Sequence, residues 1–430
     1  MTWSSGSMFS FKILSENVIV VRGLAGRNVF LSKGLDFLAG YKLLMPQIKE
    51  FLPLTPLSGD ESWGAVVASF IRTRMIEKFH STMLGAVATS YAAWGDNGTL
   101  GLFQSVNQIV FRVSLPLAGC QLLAEDARTV EALVDIFSRL EEGSQPSSLI
   151  FPWIPTPTRI RRVLAGAQLY RMTKRVVEER ERLGLEVDDS LQTLIRHKYP
   201  MSEIARFIAT ILFASVTNTA NLFAWTLVYL EVYKPWKARV AAEVENFLWD
   251  SNIIVSRNLF DDIANVPLSS MDEKLPTIEL ITYEVLRLHA RGPFIRRNIG
   301  GDSTVDGADL PNGSFIMFPA EDLHWNPELF PDPEVFDPTR FTAENIEQRK
   351  KFGVSYIGWG AGRHQCVGKR TALLEIKMMI VLLMAKYDFQ ITDTANRPLS
   401  AVPAVYTKQL FKVCGPQEAV NIEYRIKSGC

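Results

Sequence analysis

The residue best suited to chemistry in this chain is Cys366. It lies in Gly358-Trp359-Gly360-Ala361-Gly362-Arg363-His364-Gln365-Cys366-Val367-Gly368, among four glycines and just before the apolar stretch Thr371 to Lys386. Glycines permit left-handed backbone and let a chain come close to a flat ligand. The positive end of a following helix, with Arg363 and His364 nearby, favours a thiolate at that position. Such a thiolate suits an axial bond to haem iron, where it pushes electron density onto the metal and favours O–O cleavage. For a glycine-flanked cysteine taken alone, the plainer reading is a turn around a buried thiol.

Other groups carry meaning only in combination. Glu284 and Arg287, in Tyr283-Glu284-Val285-Leu286-Arg287, are three apart and share a helix face. As an exposed pair they would contribute only ~0–1 kcal/mol. Asp337-Pro338-Thr339-Arg340-Phe341 follows before the cysteine loop, and Gly292-Pro293-Phe294-Ile295-Arg296-Arg297 offers two adjacent guanidinium groups, which recognise carboxylates bidentately. The stretch from Phe207 to Leu230 carries no charge and is long enough to cross a bilayer. Its middle, Ala214-Ser215-Val216-Thr217-Asn218-Thr219-Ala220-Asn221, is too polar for lipid, since each uncompensated amide or hydroxyl costs several kcal/mol. It therefore predicts a long buried helix whose polar notch packs helices, holds water or lines a pocket.

Taken together, Trp359 to Gly368 resembles the haem-binding signature of the cytochrome P450 family, with Trp359 where the family more often has Phe. The resemblance implies haem b as cofactor, Cys366 as its proximal iron ligand, and Trp359 and Gly360 as part of the haem-binding loop. It further implies that His364 meets a haem propionate, as does Arg297, with Arg296 close behind. The Glu-x-x-Arg helix of Glu284 and Arg287, completed by Arg340, is implied to be a structural lock behind the haem. Family members usually place an acid and a threonine on the helix above the iron, where they relay protons. The aligned positions here are Thr217 and Asn218, so a titrating proton source is missing, although the amide still donates a hydrogen bond. Ala-Ser-x-x-Asn-Thr is similar to the sterol 7-alpha-hydroxylase branch, which inserts oxygen, and the Asn also occurs in prostacyclin synthase, which rearranges a peroxide.

The elements that must position these residues are mainly helical. Over 430 residues, 47% are hydrophobic, and 46 Lys+Arg balance 46 Asp+Glu, which describes a globular chain and excludes disordered, collagenous and disulfide-scaffold classes. Without net charge or basic blocks, nucleic acid is excluded as a partner. Alternation in Phe9 to Leu14 and the run Val18 to Val21 predict a hairpin. Helical spacing runs from about Trp63 to Leu140, broken at Gly95-Asp96-Asn97-Gly98 and Gly119. After the connector Phe151 to Pro157 comes an Arg-rich helix, Arg159 to Leu183, read as a solvated face. A helix from Pro276 to His289 leads into short strands with a turn at Pro311-Asn312-Gly313. Asn97-Gly98-Thr99 and Asn312-Gly313-Ser314 match the glycosylation pattern and are read as turns. Cys120, Cys366, Cys414 and Cys430 lack zinc or disulfide spacing, and His80, His197, His289 and His324 lack metal-ligand spacing.

The expected architecture is mainly α with small β-sheets, a cytochrome P450 fold in one domain over residues 1–430, without the usual N-terminal anchor and first helix. Leu149 to Ile154 is an apolar patch suited to peripheral membrane contact as much as to a core turn. The chain is expected at the endoplasmic reticulum membrane surface or in the cytoplasm. The resemblance implies an oxidoreductase, a monooxygenase of a sterol, terpenoid or polyketide in fungal secondary metabolite biosynthesis. It would use molecular oxygen and electrons from NADPH-cytochrome P450 reductase, since no flavin or dinucleotide fingerprint is present. The alternatives are a haem-thiolate isomerase or dehydratase acting on a peroxide without a reductase, and a non-catalytic haem-binding chain.

Overall fold

The computed structural model describes residues 8–13, 16–41, 73–142, 156–253, 255, 259–305, 307–406 and 413–427. The apolar patch Leu149 to Ile154, most of the proline connector Phe151 to Pro157 that overlaps it, the start of the expected helical run at 63–72, and Cys430 lie outside the described residues.

In chain order, β1 (Met8–Ile13) and β2 (Glu16–Val21) lead into α1 (Gly23–Phe30), the two-residue β3 (Leu35–Asp36) and α2 (Phe37–Tyr41). Next come α3 (Thr73–Ala92), β4 (Asn97–Gly101), α4 (Leu102–Leu117) and α5 (Ala127–Glu142). They are followed by α6 (Pro157–Leu183), α7 (Ser190–Arg196), α8 (Met201–Val232), α9 (Lys234–Asp250) and α10 (Pro276–His289). Strands β5 (Pro293–Asn298), β6 (Ser303–Val305), β7 (Ala308–Leu310) and β8 (Phe315–Pro319) precede α11 (Lys369–Lys386), and β9 (Tyr387–Thr392) and β10 (Asn421–Ile426) close the chain. Short helical turns join these elements. The balance is mainly helical with small sheets, as the periodicities predict.

The predicted hairpin forms, with Ile13 opposite Glu16. Its second strand runs parallel to β8, which pairs antiparallel with β5, and β5 carries β3 on its far edge, giving a sheet ordered β1-β2-β8-β5-β3. Beneath this sheet Ile316, Phe318, Leu323, Phe330, Phe341, Ile357 and Ala361 form one apolar cluster, so the sheet is packed onto the approach to the cysteine loop.

The long uncharged stretch is α8, and its second half, Leu222 to Glu231, is buried on every side. A helix apolar all round has no face to give to water and is stable only inside a core. By length and composition α8 could cross a membrane, yet most of its apolar window is enclosed by the surrounding protein. It packs against α4, α6, α10 and α11.

Two sequence expectations are corrected. Asn97-Gly98-Thr99 is not a turn but the start of β4, paired with β10. A Cβ on Gly98 would stand 2.7 Å from the Tyr424 hydroxyl, so the glycine is needed for a cross-strand contact invisible locally. The Arg-rich α6 is not simply a solvated face. Arg162 and Arg180 are buried, and Arg180 Nη1 donates to Asp189 at 2.9 Å while Asp189 caps α7 through the Gln192 amide at 2.8 Å.

Candidate functional site

The loop before α11 is built on itself. The Gly360 amide donates to the Ile357 carbonyl at 2.8 Å, and the Cys366 amide donates to the Trp359 carbonyl at 2.7 Å, closing the loop across its base. Gly360 has φ +70°, and a Cβ there would lie 2.2 Å from the His364 carbonyl oxygen, so both backbone conformation and space demand glycine. Cys366 is flanked by protein on most sides but keeps an accessible face. Burial pushes its thiol pKa up, while the backbone amides of Gly368 and Lys369 and the Lys369 ammonium pull it down. The stabilisers of a thiolate are thus residues after the cysteine, not Arg363 and His364 as the sequence suggested. A coordinating cation deprotonates a thiol outright and would overcome the burial cost. The indole N–H of Trp359 is buried and has no acceptor among the described residues.

Facing the loop is the edge of the large sheet. His364 shares a hydrogen bond of 3.1 Å with the Leu35 carbonyl and lies near the Phe37 ring. Burial, and then the charge of Arg296, lower its pKa. Arg296 is buried, with its guanidinium 4.8 Å from the Phe30 ring centre and 5.0 Å from that of Phe37. Burial pushes its pKa down to about 10, and among the described residues no carboxylate makes an ion pair with it. Successive strand residues point to opposite faces, so Arg297 turns away. It donates to the Gly313 carbonyl at 2.9 Å and to Glu16 at 3.2 Å. The arginine brought beside His364 is therefore Arg296.

Behind the loop, Arg287 donates from Nε and Nη2 to the two oxygens of Glu284, both at 2.7 Å, and both side chains are fully buried. Arg340 Nε stands 3.4 Å from Glu284, and the Asp337 amide donates to it at 3.0 Å. Arg287 Nη1 donates to the His324 carbonyl at 2.6 Å, and His324 Nε2 accepts the Ile357 amide at 3.1 Å. Burial holds the His324 pKa down at about 3, keeping the imidazole neutral and able to accept. The ion cluster thus reaches Ile357, the residue just before the cysteine loop, through one histidine, a link the sequence reading did not contain.

On α8, Ala214 and Asn218 are exposed one turn apart in a helix otherwise largely closed. Thr217 is buried, and its hydroxyl donates to Glu141 of α5 at 2.7 Å. Asn218 Oδ1 accepts the Val413 amide at 3.4 Å, Asn221 donates to the Val413 carbonyl at 2.8 Å, and Trp225 donates to the Cys414 carbonyl at 2.7 Å. One helix face therefore both presents the polar notch and holds the 413–414 segment. Asn221, Trp225 and Glu141 were not singled out from the sequence, because each acts on a partner far along the chain.

These residues fit a haem. The site supplies an exposed cysteine with amide donors to its sulfur, a backbone kept flush by Gly360, and a buried indole donor without an acceptor among the described residues. It also places a buried guanidinium beside an imidazole, a donor set suited to carboxylates.

The family model for cytochrome P450 matches residues 97–414. A cytochrome P450 monooxygenase of Aspergillus novofumigatus, nsrP, is 26% identical over 94% of this chain and 80% of its own length. An obtusifoliol 14-alpha demethylase of Sorghum bicolor is 27% identical over 75% of this chain and 65% of its own length. Among solved structures, the heme domain of cytochrome P450DA superposes with a TM-score of 0.77 at 17% identity, covering 98% of this chain and 90% of that one.

Proposed function

Because the chain belongs to the cytochrome P450 family of haem-thiolate monooxygenases, we propose that it inserts one oxygen atom of O2 into a lipophilic small molecule, as a tailoring step of fungal secondary metabolite biosynthesis. The observation that carries the reading is the loop around Cys366, an exposed residue whose thiol is met by two backbone amides. When bound, the haem supplies the activation of oxygen.

The chain's own residues do the rest. Cys366 holds the iron, and Gly360 and Trp359 let the loop lie close to the ring. Arg296 and His364 take the propionate carboxylates, the role the sequence gave to Arg297 and His364. Ala214 and Asn218 line the oxygen side, where the Asn218 amide can hydrogen-bond oxygen or water while the apolar wall of α8 excludes bulk solvent. Glu284, Arg287 and Arg340 fix the loop from behind.

Monooxygenases of this family draw electrons from a redox partner and consume substrate and oxygen. For this chain the partner proposed is NADPH-cytochrome P450 reductase, and the proposed place of action is the endoplasmic reticulum membrane surface. The named activities of the relatives, one of them an obtusifoliol 14-alpha demethylase, support a lipophilic substrate class rather than one compound.

The test is reconstitution with the reductase under labelled O2. The expected product gains one labelled oxygen atom per NADPH consumed. Rearrangement of a hydroperoxide without NADPH or oxygen uptake would instead establish the peroxide isomerase reading.

A further inference from the structure

Inserting one atom of O2 into a C–H bond consumes two electrons and two protons and releases one water. Protons must therefore reach a space that excludes bulk solvent. The helix lining that space has no acid of its own where it is needed. Glu203 and Glu231 lie near the two ends of α8, paired to Arg206 and to Lys234 and Lys237, and no charged residue lies between Arg206 and Glu231.

We infer that Glu141, at the end of α5, supplies these protons through the Thr217 hydroxyl. The inference rests on the oxygen-insertion reading above. Its first support is the 2.7 Å bond between Thr217 Oγ1 and Glu141 Oε1, which joins the two helices beside Asn218. The second is the direction of that hydroxyl. Buried helical threonines commonly bond the carbonyl one turn back. Thr226 donates to the Leu222 carbonyl at 2.8 Å, and Thr210 donates to Arg206 at 2.8 Å. Thr217 forgoes that bond and reaches across to a carboxylate. The third is access, because Thr217 is buried whereas Glu141 is only half-buried and can exchange protons with solvent.

The transfer balances without further reagents. At rest the Thr217 hydroxyl donates to the Glu141 carboxylate, so the relay begins when Glu141 takes a proton from solvent and the hydroxyl turns round to accept from it; the carboxyl then gives that proton to Thr217 Oγ1 as Thr217 passes its own hydroxyl proton toward the pocket beside Asn218. The hydroxyl is regenerated, and the carboxylate left behind is reprotonated from solvent. Electrons come from the redox partner. Glu141 thus acts through Thr217 as a positioning residue and proton source, restoring from a second helix the acid that the α8 sequence lacks.

The test compares holoprotein with Glu141→Gln, Glu141→Asp and Thr217→Val. In Glu141→Gln, NADPH-driven product formation should fall on the order of 100-fold, the usual scale of a lost proton-transfer group. Electrons should appear as hydrogen peroxide instead, while the thiolate spectrum and substrate-binding shift stay those of the wild type. Glu141→Asp should recover part of the coupling. With iodosylbenzene, which delivers a single oxygen atom and needs no proton, Glu141→Gln should turn over at close to the wild-type rate.

A readout independent of turnover is the infrared carboxylate band of resting holoprotein that disappears in Glu141→Gln. It should shift in Thr217→Val. Equal NADPH coupling in Glu141→Gln and wild type, an equal loss with iodosylbenzene, or a band indifferent to Thr217→Val would overturn the inference. A wild type that never couples NADPH to product but rearranges a hydroperoxide would overturn the oxygen-insertion reading itself.

Discussion

Replacing Glu284 by alanine tests whether the buried ion cluster supports the cysteine loop. In one step the change removes the acceptor of two Arg287 bonds at 2.7 Å, the 3.4 Å neighbour of Arg340 and the acceptor of the Asp337 amide at 3.0 Å. Glu284 and Arg287 are both 0% exposed, so the stranded guanidinium has no water to turn to. Removing one partner of such a pair costs about 3–5 kcal/mol. An orphaned amide adds about 1 kcal/mol, not additively. Against a total stability of about 5–15 kcal/mol, that is a large fraction. The damage should spread, because Arg287 also holds the His324 carbonyl and His324 holds the Ile357 amide at the base of the loop. The control is Glu179→Ala, which breaks a solvent-screened ion pair with Arg182 whose side chains are 39% and 65% exposed and should leave stability nearly unchanged. Urea unfolding followed by far-ultraviolet circular dichroism gives the stability, and Soret absorbance per protein gives the haem retained. A loss for Glu284→Ala no larger than for Glu179→Ala, with full haem loading, would refute the reasoning.

Arg296→Leu should lower haem retention, measured as Soret absorbance per protein, more than Arg297→Leu does, and the opposite order would return the propionate role to Arg297. Gly360→Ala should abolish haem incorporation while leaving far-ultraviolet dichroism nearly unchanged, because the added Cβ meets the His364 carbonyl oxygen at 2.2 Å and φ is +70°. Normal loading in that variant would mean the loop is not held as described. Burial pushes the Glu375 pKa up to about 8, above its value in the unfolded chain. The folded state therefore holds the proton more tightly, and this favourable contribution is full below the ordinary carboxyl range and is lost as pH rises through about 8. Glu375→Gln should remove that dependence and gain on the wild type with rising pH, by up to about 1.4 kcal/mol per unit, in unfolding measured from pH 5 to 8.5. An unchanged difference across the range would place Glu375 in contact with a compensating charge.

The parts legible in the sequence were those whose causes are local. Glycines around Cys366 mark a loop whose φ of +70° at Gly360 few other residues would adopt, and the apolar run of α8 and the proline-started α10 state their own helicity. The pairing of Glu284 with Arg287 follows from a spacing of three. What was not legible depends on partners remote in sequence. Gly98 reads as a turn until Tyr424 packs on it, and Arg180 reads as solvated until Asp189 receives it. Strand alternation says that Arg296 and Arg297 part, but only the packing of Phe30 and Phe37 says which turns toward His364. The Thr217–Glu141 bond spans 76 residues between two helices, and no spacing rule reaches that far.

Everything proposed for the site depends on the Cys366 sulfur being the iron ligand. The most direct measurement is the reduced, carbon monoxide-bound absorption spectrum of the wild type beside Cys366→Ser. The wild type should show the long-wavelength Soret band of thiolate-ligated haem and Cys366→Ser should lose it, with the helical dichroism largely kept. A variant that retains the band, or a haem-loaded wild type that lacks it, would remove Cys366 as the iron ligand.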